Sequence, residues 1–212
     1  MKRYGLLFSW WLAALPLFGQ NLLDNPSFER HNGRAGWMPE AWINAGPVTE
    51  SPPDVHTADS EIFGVRHRPA AGDTYLGMVA RDNFTFEAIA QRIPGGLRAG
   101  QTYELQLWVS RSEELRSQSR LTRAPVTYDA PIPFDVYVSN KATGDHFELV
   151  ARSAPITHSD WRLYTIAFTP TRNWKYLRIG AGMNVMSAKP QCGNILIDDL
   201  SLTVADHSRP DN

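Results

Sequence analysis

Among its 212 residues the chain has one cysteine, Cys192. No intrachain disulfide can form, so in an oxidising compartment the fold must rest on core burial or a bound metal. A lone thiol of this kind reads as a small buried hydrophobe, not a nucleophile. Neither sign of charge is in excess: 21 Lys and Arg stand against 22 Asp and Glu. That balance leaves no electrostatic footprint for nucleic acid or an anionic membrane. No apolar run reaches the roughly 20 residues that span a bilayer. Amphipathic helical runs between strands are absent too, which argues against parallel βαβ units.

What is present begins with a short basic head, Met1-Lys2-Arg3, and an apolar run from Tyr4 to Phe18. Head, core and the small residue Gly19 come in the order of a secretory signal peptide, expected to be residues 1–19. A secreted product follows, periplasmic, cell-surface or extracellular. No cysteine lies near the cut, which disfavours a lipid anchor. Residues 20–204 have the length of one domain with a full core. Residues 205–212 (ADHSRPDN) are polar and read as a flexible tail.

The pattern of the domain is alternation. Segments 74–80, 84–93, 101–110, 133–139, 146–151, 161–169, 174–181 and 194–204 are rich in β-branched and aromatic residues. They are bounded by Gly, Pro, Asn or Asp and read as strands. Many short strands with turn chemistry between them predict an all-β fold, an antiparallel β-sandwich of jelly-roll type. Residues 30–72 and 111–131 do not read as regular strands, and 112–119 could form a short helix. Loops of such length are uncommon in compact domains and are often functional.

Three motifs carry a resemblance. Asn21-Leu-Leu-Asp-Asn-Pro-Ser-Phe-Glu29 opens the domain, the run from Gly72 to Ser112 (GDTYLGM…LRAGQTYELQLWVSRS) lies in the middle, and Ile195-Leu-Ile-Asp-Asp-Leu-Ser-Leu202 closes it. Together they resemble the galactose-binding-like jelly-roll superfamily, including carbohydrate-binding modules of the family 4, 9 and 22 type. They are similar above all to secreted modules of Bacteroidetes bacteria that begin with an Asn-Pro-Ser-Phe-Glu strand. The resemblance implies a structural calcium between first and last strands, with Glu29 and Asp198 as its matching carboxylates. Two carboxylates with main-chain carbonyls can meet calcium's demand for six to eight oxygens. Without a metal, they are strand-end carboxylates in solvent.

Alternation also separates faces, since one side of an antiparallel strand is core and the other solvent. In 101–110, Tyr103, Leu105, Leu107 and Val109 share the apolar side; Glu104, Gln106 and Trp108 share the other. By the same reading Asp135 and Tyr137 point outward, as do Trp174, Tyr176 and Arg178. If these strands share one sheet, Glu104, Gln106, Trp108, Asp135, Tyr137, Tyr176 and Arg178 form one face of aromatic platforms and polar groups suited to a glycan. A long loop over that face would instead make it a second small core. Trp37, Trp42, Tyr128 and Asp129 form a rival site at the loop edge.

Enzyme motifs are missing. There is no His-Glu-x-x-His and no Glu-x-Asp-x-x-Glu. Gly72-Asp73-Thr74 resembles the Gly-Asp-Ser start of secreted esterases, but no His has an Asp three residues before it. His158 and Asp160 read as turn residues, not a dyad. The sequence therefore points to a non-catalytic carbohydrate-binding module with glycan as partner. A structural or adhesion protein of the bacterial envelope, binding other proteins, is the alternative. A polysaccharide lyase or hydrolase is the third reading.

Overall fold

The structure, a computed structural model, describes residues 19–32, 36–183 and 191–205. The expected signal peptide, apart from Gly19, and the tail beyond Ala205 lie outside the described residues.

Twelve strands follow in chain order: β1 (Ile43–Asn44), β2 (Asp54–Thr57), β3 (Thr74–Ala80), β4 (Ala88–Leu97), β5 (Tyr103–Ser110), β6 (Arg116–Gln118), β7 (Pro125–Thr127), β8 (Phe134–Ser139), β9 (Phe147–Arg152), β10 (Arg162–Phe168), β11 (Trp174–Ala181) and β12 (Gly193–Val204). Two five-stranded sheets form, in the orders β1-β4-β11-β8-β9 and β10-β5-β12-β3-β2. Every pairing is antiparallel. This is the expected jelly-roll sandwich.

The core is the product of alternation. Leu105, Leu107 and Val109 of β5 meet Ile89 of β4, Val136 of β8 and Ile179 of β11 between the sheets, all at or near zero exposure. Each such side chain contributes about 1.5–3 kcal/mol by leaving water. All eight strands read from the sequence are present, with shifted ends.

Three readings need correction. Residues 116–118 are a strand paired with β7, not part of a helix. The opening segment 21–29 is not a regular strand. It lies along β12 through Leu22 N–H to Leu202 O at 2.8 Å and through the Asn21 amide, which bonds Leu200 and Leu202. Left-handed Asn25 and Phe28 break its pleat. Finally, Trp174 is buried in the core, because the pairing of β11 with β4 shifts register between Trp174 and Tyr176 and turns the indole inward.

The sheets' outer sides are unequally covered. Residues 111–131 fold back over β3 and β12, where Val65, Tyr75, Leu115, Tyr128, Cys192 and Leu196 make a second small core. An ion network secures this cover: Arg81 pairs with Glu87 and Glu50, and Glu50 with Arg120 at 2.8 Å. Among the described residues the β10 side of the same sheet is more exposed, while residues 67–71 cover its end at Ser110 and Asp198.

Candidate ligand-binding face

The seven candidate ligand residues do not share a sheet. Glu104, Gln106 and Trp108 lie on β5 of one sheet. Asp135, Tyr137, Tyr176 and Arg178 lie on β8 and β11 of the other. Both groups point outward, so the sandwich places them on opposite sides of the molecule. The single face expected from alternation is two faces, because alternation reports in or out but not which sheet.

The β8–β11 group is largely enclosed. Asp135 is 3% exposed and takes two hydrogen bonds from Arg152, at 2.6 and 2.7 Å, and one from the Tyr137 hydroxyl at 2.7 Å. Burial, and then the anion it faces, raise the Tyr137 phenol. Arg178 is 6% exposed; it donates to the carbonyls of Gly144 and Ala45 and lies 5.3 Å from the Phe147 ring centre. Ala45, Ala88, Ala90, Ala142 and Tyr176 pack together over this sheet. On this side the candidate aromatics and charges form a small core under a turn.

The β5 group is open and ordered in rows. Trp108 stands opposite Leu163 of β10 on one side and Asp198 of β12 on the other. Gln106 stands between Thr165 and Ser201, and Glu104 between Ala167 and Thr203. Leu163, Thr165 and Ala167 are exposed; Trp108, Gln106 and Glu104 are half-buried. The Gln106 amide donates to Glu104 at 2.9 Å, which ties the two polar heads together. Directly opposed residues on neighbouring strands have side chains about 5 Å apart. The strip therefore offers an indole and an isobutyl group at one end, then an amide, a carboxylate and three hydroxyls. Ser201 and Thr203 were readable as outward from their alternation with Leu200 and Leu202. That β10 and β12 flank β5 was not.

The two bookend carboxylates converge on one loop. Glu29 Oε1 accepts from the N–H groups of Asp73 and Thr74, at 2.9 and 3.2 Å. Asp198 Oδ2 accepts from Ala70 and Ala71, at 2.8 and 2.9 Å. The Ser27 carbonyl joins them through the Thr74 hydroxyl at 2.9 Å. Asp198 is fully buried, and burial raises its carboxyl to about 7. It belongs to none of the ion pairs described. Main-chain N–H groups of the 70–74 loop and of Asp199 therefore surround both carboxylates and supply the partial positive charge they face. Among the described residues, no three His, Cys, Asp or Glu gather as a metal site. Any ion here would need main-chain oxygens as well.

The rival loop-edge set is dispersed. Trp42 is buried in the main core with Nε1 bonded to Asn25 O, and Tyr128 belongs to the second core. Trp37 is 56% exposed, and Asp129 is exposed with its carbonyl bonded to Arg111. Thr74 is buried with its hydroxyl donated to Ser27 O, an arrangement that does not suit a nucleophile. The His158 ring meets Asp160 through a main-chain oxygen, and the Asp160 carboxylate pairs with Arg162. Neither is a catalytic pair.

The chain superposes on the xylan-binding domain CBM22-1 of Xyn10C from Paenibacillus barcinonensis with a TM-score of 0.53 at 14% identity, covering 90% of this chain and 98% of that one. It superposes on the K2 cleaved adhesin domain of Lys-gingipain with a TM-score of 0.55 at 12% identity, covering 84% and 97%. The likeness is one of fold. The jelly-roll β-sandwich is thus the architecture of this chain, as expected from its alternating strands. A cyclase from Fischerella sp. TAU shares it, with a TM-score of 0.53 at 13% identity over 86% of this chain and 95% of that one. Fold alone therefore does not decide function. No protein-family model matches the chain, and no curated protein matches it.

Proposed function

We propose that this is a non-catalytic glycan-binding module whose platform is the open strip across β10, β5 and β12. One observation carries the reading: a half-buried Trp108 ends a row-ordered strip of amide, carboxylate and hydroxyl groups that runs beside the exposed Leu163, Thr165 and Ala167 of β10. A sugar ring has an apolar C–H face and a polar rim. The indole suits the first and Gln106, Glu104, Thr165, Ser201 and Thr203 suit the second. That neighbours in fold include a xylan-binding domain supports the reading. A secreted location supports it too, and rests on the sequence before Gln20.

The direct test is retention of the purified protein on a panel of soluble and insoluble polysaccharides. Trp108→Ala should keep the melting temperature within a few degrees and abolish retention. If it unfolds the domain instead, Trp108 is core and the platform is refuted.

A structural calcium is part of the same proposal. Glu29, Asp198 and the Ser27 carbonyl would hold it, and it would supply the full positive charge that buried Asp198 lacks. It would tie the opening segment, the 70–74 loop and β12 together.

A second reading has its own observation. β9 is an edge strand, and its Phe147 and Leu149 are 45% and 48% exposed. An unpaired apolar edge suits strand addition by a protein partner, as in an adhesion role. Loss of a protein partner in Leu149→Lys, with glycan retention intact, would favour it.

A further inference from the structure

β4 leaves its partner for four residues. Arg92 stands opposite Tyr176 and Leu97 opposite Trp174, so Ile93, Pro94, Gly95 and Gly96 face Lys175 alone. Gly95 and Gly96 both have φ of +74°, and a Cβ on Gly96 would come within 2.8 Å of the Trp174 carbonyl. Bulges of this kind re-aim side chains and often border binding sites. Here the bulge, with the turns near Asn140 and Asn173, encloses a hollow of roughly 630 Å³, within the range of ligand-sized clefts.

The chemistry of the hollow is one-sided. Arg92, Arg98 and Lys175 line it, and no Asp or Glu does. All three are exposed, and none belongs to an ion pair among the described residues. Arg30, Arg66, Arg81, Arg111, Arg120, Arg152 and Arg162 each face a carboxylate, and Arg68, Arg116, Arg123, Arg172 and Arg178 also stand outside the ion pairs, so what sets the hollow apart is three cations lining one concavity. Asn173 accepts the Ala99 N–H with its oxygen, which leaves its amide hydrogens as donors. Glu148 meets the same turn but is held by Thr171 and the Trp174 indole, and those donors keep its carboxyl below the usual range. In a chain with net charge −1, a hollow lined by three cations and no carboxylate is matched by an anion with several acceptor oxygens.

We infer that this hollow receives an acidic sugar unit, bearing a carboxylate or a sulfate, of an anionic polysaccharide. The inference rests on the glycan-binding reading but uses a different site from the Trp108 strip. The guanidinium of Arg92 takes the anionic group in a two-point contact. Lys175 and Arg98 add charge, and the asparagine amides meet hydroxyls.

The test is affinity electrophoresis of the full chain in gels carrying polygalacturonate, dextran sulfate or neutral xylan. Retardation by an acidic polymer is expected, and it should fall as salt rises through 0.15 M, where screening acts within about 8 Å. The first two gels separate carboxylate from sulfate recognition. In Arg92→Ser/Lys175→Ser, affinity for the acidic polymer should drop at least about tenfold with an unchanged melting temperature. Arg98→Gln alone should give a smaller loss, and it tests the same site if the double variant does not fold. Unchanged affinity in the folded variants would overturn the inference. So would equal retention in a gel carrying double-stranded DNA, which would mark a patch that attracts any polyanion. Retention by xylan alone, removed by Trp108→Ala, would overturn this inference and leave the Trp108 platform standing. Retention by no glycan would defeat the glycan reading itself.

Discussion

At the scale of single residues, two buried groups have opposite sensitivities to pH. Burial raises Asp198 to about 7 and lowers His56, stacked on Tyr75, to about 4. Asp54 rises to about 6 and Glu87 to about 7, again through burial. An acid raised by folding keeps its proton in the folded chain where the unfolded chain has released it. Its stabilisation is present at low pH and lost as pH rises through the folded value. His56 acts in the other direction, since the folded chain resists a proton that the unfolded chain accepts below about 6.5. Three raised acids outweigh the two lowered histidines, His56 and His67. With divalent ions chelated, the melting temperature should therefore rise on going from pH 8 to about pH 5. A fall over that range would show that Asp198 and Glu87 remain ionised in the folded protein. Glycine 193 has a second residue-scale consequence. A Cβ there would lie 2.3 Å from the Ala130 carbonyl, so Gly193→Ala must move backbone. It should cost about 1–3 kcal/mol, read as a lower denaturant midpoint.

At the scale of elements, the 111–131 cover is held by charge as well as by apolar contact. Arg81 is 4% exposed at its side chain and lies between Glu87 and Glu50. Removing it leaves the buried Glu87 carboxylate without a cation, while Glu50 keeps Arg120, so Arg81→Met should destabilise by about 3–5 kcal/mol. Exchange-protected amides in β6 and β7 should then open first, which hydrogen exchange would detect. The other element-scale joint is the 70–74 loop. If calcium sits there, millimolar calcium should raise the melting temperature relative to EDTA, by about 2.7 kcal/mol of stability at a hundred times the dissociation constant. The gain should fade below pH 7, because the ion needs Asp198 ionised. Equal melting temperatures at pH 8 would refute the ion and leave Asp198 as a cap for the Ala70 and Ala71 N–H groups. Elements were the level at which the sequence was most readable. Leu105-Gln106-Leu107-Trp108-Val109 can alternate only as a strand. Short strands escaped notice because β1, β2, β6 and β7 have two to four residues, too few for a period to show.

At the scale of the whole molecule, the sandwich has one open half-face, one enclosed face and one basic hollow. The described residues contain no helix long and apolar enough to cross a membrane. Which half of a sheet stays open is decided by where the long excursions land. The 111–131 segment lands on β3 and β12, and β10 keeps Leu163, Thr165 and Ala167 exposed. The Trp108 strip and the Arg92 hollow belong to different sheets, so a single glycan chain engaging both would have to pass around the sandwich. Binding of neutral and acidic polymers should therefore be additive, not competitive, in a titration that mixes the two.

The residues alone determined the class of the fold, its inward sets and its lack of a disulfide, because each follows from local alternation, turn chemistry and counting. They also marked Glu104, Gln106 and Trp108 as outward on one strand. Tertiary structure decided that Asp135, Tyr137, Tyr176 and Arg178 lie on the opposite side, since strand order is set by long-range pairing that a period of two does not encode. It also decided that Asp135 and Arg178 are buried under a turn, that Trp174 turns inward at a bulge, and that Arg92, Arg98 and Lys175 meet. Residues distant in sequence become neighbours only through register and loop placement, and those depend on how the whole core packs.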